Sequence, residues 1–200
     1  MKDLMKRMCL AIVLLGLGLT TYANNTNPDI RIATMADARK FTLELTNIDA
    51  GATTVTLYDA FGVALLQESV DKNHYGKIFN MSDLPVGDYE LVITTNNRDI
   101  VQPIELTYEG VEMDTNKRSV YFAPVVLTNK TKLDVSYFRG KMTDVQISIY
   151  DQHNGLVFEE DFDNVIKVER RYNLDSLPKG DYNVVVNTDF KSYFQTVTID

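Results

Sequence analysis

The feature that most constrains this chain is that it states one pattern twice. YDAFG (58–62) and LPVGDY (84–89) recur in the same order as YDQHNG (150–155) and LPKGDY (177–182). From Gly62 to Gln102 the copies align without a gap at an offset of 93 residues. Gly62, Asn80, Leu84, Pro85, Gly87, Asp88, Tyr89, Thr95 and Gln102 then match Gly155, Asn173, Leu177, Pro178, Gly180, Asp181, Tyr182, Thr188 and Gln195. A repeat of this length implies two domains built on one plan of elements.

That plan is all β. In KFTLELTN, Phe41, Leu43 and Leu45 alternate with polar residues, and Leu133, Val135 and Tyr137 do the same in the second copy. Val55 and Leu57 correspond to Ile147 and Ile149, and Tyr89, Leu91 and Ile93 to Tyr182, Val184 and Val186. Ile104 and Leu106 correspond to Val197 and Ile199. Period-two alternation places one face of each strand on a core and the other in water. The alternation and the turn residues predict strands near 29–34, 40–47, 53–59, 63–70, 76–82, 88–95 and 100–107. In the second copy they predict 120–128, 132–138, 144–150, 156–163, 168–174, 181–188 and 193–199. Seven short strands per copy, with frequent turns, predict two tandem immunoglobulin- or fibronectin-like Greek-key sandwiches. Pro103 cannot donate to a ladder and should lie at an edge or a bulge.

Residues 1–23 read as a signal peptide. Lys2, Lys6 and Arg7 precede the apolar run 9–19, and TYA (21–23) offers a cut after Ala23. The run is short for a membrane span, so no span is expected once the signal is removed. Cys9, the one cysteine, leaves with it, and the mature chain would have no disulfide. The expected organisation is domain 24–110, connector 111–118 and domain 119–200. At this size each sandwich buries roughly 60–70% of its unfolded surface. Localisation is expected to be periplasmic or secreted.

Charge narrows the partners. Residues 24–200 carry 17 Lys+Arg against 27 Asp+Glu, a net of −10. Residues 24–114 hold 6 bases and 15 acids, while 115–200 hold 11 and 12. An acidic chain repels phosphate backbones, which excludes nucleic acid as the expected partner.

The repeated motifs have structural chemistry. Leu84 and Leu177 close the core, Pro85 and Pro178 preset a turn, and Gly87 and Gly180 accept positive φ. Tyr89 and Tyr182 resemble tyrosine corners, with a buried ring and a hydroxyl bonded to upstream backbone. Asp59 and Asp151 cap the other turn, where Gly62 and Gly155 are expected to supply the unusual φ. The second of these turns reads as one residue longer. Calcium ligation by Asp59 or Asp151 lacks the six to eight oxygens that the ion takes.

EEDFD (159–163) and KVERR (167–171) suggest a hairpin centred between Val165 and Ile166. It would set Asp161 opposite Arg170, Glu160 opposite Arg171 and, in the first copy, Glu68 opposite Lys77. His74 and His153 fall in predicted turns, with no second ligand at metal spacing. No phosphate loop, GxSxG elbow or HExxH helix occurs. No cofactor, metal site or catalytic set is therefore expected. Tyr75, Phe138, Phe190 and Tyr193 are the aromatics hardest to place in the core, and are the candidates for a ligand face.

VTLYDAFG…LPVGDYELVI and ISIYDQHNG…LPKGDYNVVV resemble small secreted sandwich modules of Bacteroidetes-type bacteria. These include the C-terminal sorting domains of type IX secretion cargo. The resemblance implies an exported protein of the same fold, and the lack of a catalytic set points to a non-enzymatic one. The expected role is structural or protein- and surface-binding, in the cell envelope or outside the cell, through loops or an added strand. The alternatives are a carbohydrate-binding accessory module and a pair of sorting-type domains.

Overall fold

The computed structural model describes residues 28–36 and 38–199. The signal-peptide reading, 1–23, lies outside the described residues. In the first unit the strands are β1 (Asp29–Thr34), β2 (Lys40–Thr46), β3 (Thr53–Asp59), β4 (Ala64–Val70), β5 (His74–Asn80), β6 (Gly87–Thr94) and β7 (Arg98–Leu106). They make one antiparallel sheet in the order β1-β2-β5 and another in the order β4-β3-β6-β7. The inward residues of both sheets form one core. Phe41, Leu43, Leu45, Val55, Leu91 and Ile93 are fully buried there, and Phe41 stacks on Phe79 at 4.6 Å.

The alternation fixes which residues face inward, and the second unit repeats it with a second core of its own. Leu133, Val135, Tyr137, Ile147, Ile149, Val184 and Val186 lie at its centre. Its strands are β10 (Val125–Asn129), β11 (Lys132–Asp151), β12 (Leu156–Asn173), β13 (Gly180–Asn187) and β14 (Ser192–Ile199). Residues 132–138 of β11 pair with β10 and with the far half of β12. Residues 145–150 pair with the near half of β12 and with β13, which in turn pairs with β14. The pairing plan is thus that of the first unit. The difference is that four expected strands are fused into two long ones. In the first unit the passage between sheets holds Asn47 and Gly51 at φ 55° and 75°, which ends the ladder. In β11 Gly140 turns to positive φ, at 78°, and in β12 Asn164 does, at 54°, and each ladder bends there and resumes.

This fusion removes the expected hairpin at Val165/Ile166, because both residues lie inside β12. Arg170 reaches Glu160 at 3.1 Å instead, while Arg171 bonds Asp134 across β11 at 2.6 and 2.8 Å. Asp161 accepts from the Gln146 amide at 2.9 Å. Lys77 does pair with Glu68, but between two sheets and not across one hairpin.

The two Asp-capped turns also differ from expectation. Asp59 N–H donates to Val63 O, and Asp151 N–H to Gly155 O, so the two turns are of equal length. Val55 faces both Glu68 and Ile93, and Ile147 faces both Glu160 and Val186. The true offset around these turns is therefore 92. The extra residue lies between Glu160 and Arg170. Gly62 is in the left-handed region, at φ 78°, but its counterpart is Asn154, at φ 62°, and not Gly155.

Residues 111–118 hold β8 (Val111–Glu112) and a 3-10 turn (Thr115–Lys117) capped by Asp114. β9 (Ser119–Phe122) follows. β8 pairs with Glu105–Leu106 and β9 with Arg98–Val101, both on the outer edge of β7. Pro103 sits in the gap between these two ladders, where no N–H is asked of it. The buried Gln102 amide spans the same gap, donating to Asp114 O at 3.0 Å and accepting from Arg118 at 3.1 Å.

Candidate binding surface

The repeated motif residues are engaged inside the chain. The Tyr89 hydroxyl donates to Pro85 O at 2.7 Å, and the Tyr182 hydroxyl to Pro178 O at 2.8 Å, with both rings buried. Leu84 and Leu177 pack against the two cores, and Gly87 and Gly180 take φ 144° and 146°. Asp59 Oδ1 accepts the N–H groups of Phe61 and Val63, both at 2.9 Å. Asp151 Oδ1 accepts those of His153 and Gly155, both at 2.8 Å. These two N–H groups hold the Asp151 carboxyl below its ordinary value, Gly155 contributing most. The carboxylates of both turns are thus occupied as caps. His74 and His153 are exposed, and among the described residues no three His, Cys, Asp or Glu side chains converge to hold a metal ion.

The four aromatic candidates do not come together. Tyr75 is half-buried against the first core and donates to Glu68 Oε2 at 2.7 Å. Burial, then this carboxylate, raises its phenol well above the usual range. Phe190 stacks on Tyr121 at 3.9 Å. Tyr193 packs on the second core with the Lys191 ammonium 4.9 Å from its ring centre. Phe138 alone of the four is exposed, at 52%.

Around Phe138 the chain presents apolar side chains that alternation did not mark. The Phe122 ring lies 6.5 Å from it, and the Arg98 guanidinium lies 5.3 Å from the Phe122 ring centre. Val125 faces Ser136 and Leu127 faces Asp134, which puts both on the outer face that Phe138 shares two residues along β11. Val125 is 54% exposed and Leu127 61%. They border a shallow groove of about 390 Å³ whose other wall is Asp134, Glu169 and Arg171. The Arg171 guanidinium keeps the Asp134 carboxyl below its ordinary range. The surface is therefore an apolar ridge beside charges that neutralise one another. A signal for it exists in the sequence: VVLTN is apolar at both outward and inward positions of β10.

No protein-family model and no curated protein matches this chain. Solved structures similar to it include the BSP domain of a biofilm-associated protein, at 14% identity and a TM-score of 0.29. That match covers 86% of this chain and 29% of the other. The chicken CNTN1 FN1–FN3 domains are similar at 12% identity and a TM-score of 0.29, covering 87% of this chain and 66% of that one. A tetra-tandem repeat from the extending region of a large adhesion protein is similar at 13% and 0.29, covering 88% and 50%. This chain thus spans from under a third to about two thirds of these structures.

Proposed function

We propose that this chain is an exported, non-enzymatic binding protein of the cell envelope or exterior, made of two sandwich units descended from one. The shared pairing plan and the twice-used motif support the common descent. The observation that carries the binding role is the ridge of Phe122, Val125, Leu127 and Phe138, exposed beside one another where β9 of the first unit meets β10 and β11 of the second. Apolar side chains grouped in this way, with polar neighbours around them, mark a surface that another macromolecule covers. A protein partner suits it better than a glycan, because Tyr75, Phe190 and Tyr193 are committed to contacts within the chain.

The test is site-specific photo-crosslinking in the cells that export the chain. A benzoylphenylalanine at Leu127 is expected to give discrete protein adducts, and one at the exposed Thr198 none. Retention of the purified chain on polysaccharides, with no protein adduct at Leu127, would replace this reading with the carbohydrate-binding one.

A further inference from the structure

We propose that the two units move as one rigid body, held by a charge latch in which Lys191 of the second unit neutralises the buried Asp99 of the first. Asp99 stands on β7 opposite Tyr121 and is 2% exposed. Its Oδ1 accepts from Thr94 Oγ1 at 2.6 Å, and its Oδ2 receives the Lys191 ammonium at 2.6 Å. Thr94 and Asp99 belong to the first unit's sheet, whereas Lys191 comes from the turn that leads into β14. A carboxylate taken out of water is tolerated only while a cation and hydrogen bonds satisfy it. A shift of either unit that draws Lys191 away while Asp99 stays out of water would leave a buried carboxylate without its counter-charge, and the pair opposes that shift.

A second contact set backs the latch. The Tyr121 ring carries Phe190 at 3.9 Å and the Arg139 guanidinium at 4.0 Å. Arg139 is buried, and it donates to Asp189 at 3.3 Å and to Val120 O at 3.4 Å. Tyr121 and Val120 lie on β9, which is paired into the first unit. Arg139, Asp189 and Phe190 belong to the second. Cation, aromatic and carboxylate are therefore interleaved across the joint, and a swing of either unit breaks several contacts together.

The covalent link adds no slack. β9 is hydrogen-bonded to β7 as far as Phe122, and β10 is hydrogen-bonded to β11 from Val125. Only Ala123 and Pro124 lie between. Ala123 N–H is itself bonded to Asn97 O at 2.9 Å, and the proline ring fixes φ at the next residue. A two-residue link tied at both ends differs in kind from the flexible connectors that let tandem domains reorient. The ridge crosses this joint, with Phe122 on one side and Phe138 on the other, so the latch also sets its shape.

The experiment is pulsed dipolar EPR on the full chain carrying Cys9→Ser, with spin labels at Glu90→Cys and Lys179→Cys, both exposed positions in different units. The parent should give a single narrow distance distribution. Lys191→Met, which keeps the stem and removes the ammonium, should widen it at least two-fold, and Lys191→Arg should restore it. Phe190→Ala removes one ring from a turn without touching either core and should widen it as well. It decides the matter by the same criterion should Lys191→Met fail to fold. A broad distribution in the parent, or widths unchanged in both variants, would overturn the proposal. Neither result bears on whether the ridge binds a protein.

Discussion

Asn154 holds in the second Asp-capped turn the left-handed position that Gly62 holds in the first, at φ 62° and 78°. Asparagine is the side-chain residue that tolerates this conformation best, whereas alanine pays about 1–2 kcal/mol for it. Asn154→Ala should therefore lower stability by about 1 kcal/mol, and Asn154→Gly should be close to neutral. Urea unfolding midpoints of the two variants check this, and equal midpoints would contradict the assignment.

Glu68 supplies an acid-side prediction. Its carboxylate receives hydrogen bonds from Lys77 and Tyr75, which lower it from an ordinary value of 4.5, the Lys77 bond most of all. A carboxyl depressed in the folded state stabilises above its unfolded value and ceases to do so as pH falls through its folded one. The exposed part of the pair is screened by solvent, so the effect is modest. Stability should fall below about pH 4.5, and less steeply in Glu68→Gln than in the parent. Melting temperatures between pH 6 and 3 measure the difference.

Tyr75, Tyr172 and Tyr193 give the opposite sign at the alkaline end. Burial raises all three phenols above their ordinary 10.0, and the carboxylates of Glu68, Glu160 and Asp99 add to the shift at each in turn. The unfolded chain then ionises first, so the stabilisation is present below about pH 10 and is lost as pH rises beyond it. Tyr172→Phe should flatten that decline, which a pH series of unfolding midpoints would show.

Leu127 and Phe138 project from the outer face and support neither core. Leu127→Ser and Phe138→Ser should each leave stability within about 0.5 kcal/mol of the parent. If the ridge is a binding surface, the same changes should reduce partner crosslinking at neighbouring positions. A large loss of stability would show instead that these side chains belong to the fold.

What could be read from sequence follows the reach of each signal. Period-two alternation located the inward residues of both cores, since burial of one face imposes that period directly. It could not show that β11 and β12 run on between sheets. Arg-Gly-Lys-Met (139–142) and Asp-Asn-Val (163–165) look like turns, and whether a ladder resumes beyond them is decided by pairing with a distant strand, which alternation does not carry. Residue identity aligns Gly155 with Gly62, whereas the backbone aligns Asn154 with it. Ser119–Phe122 reads as the start of β10, although Ala123 and Pro124 divide them and β9 belongs to the other unit's sheet. The ridge was half legible: Phe138 stood out from the core pattern, but Phe122 alternates like any inward residue until its sheet is known.

The repeated signature residues hold the fold and take no part in chemistry. Replacing Tyr89 and Tyr182 by phenylalanine keeps each ring and removes only its hydroxyl. Both bonds are part-buried, so each substitution should cost about 1–3 kcal/mol. The most direct measurement is denaturant unfolding of the parent, both single variants and the double. The two single variants should lose similar amounts, additive in the double variant, with crosslinking at Leu127 unchanged. Unaltered stability together with lost crosslinking would contradict it.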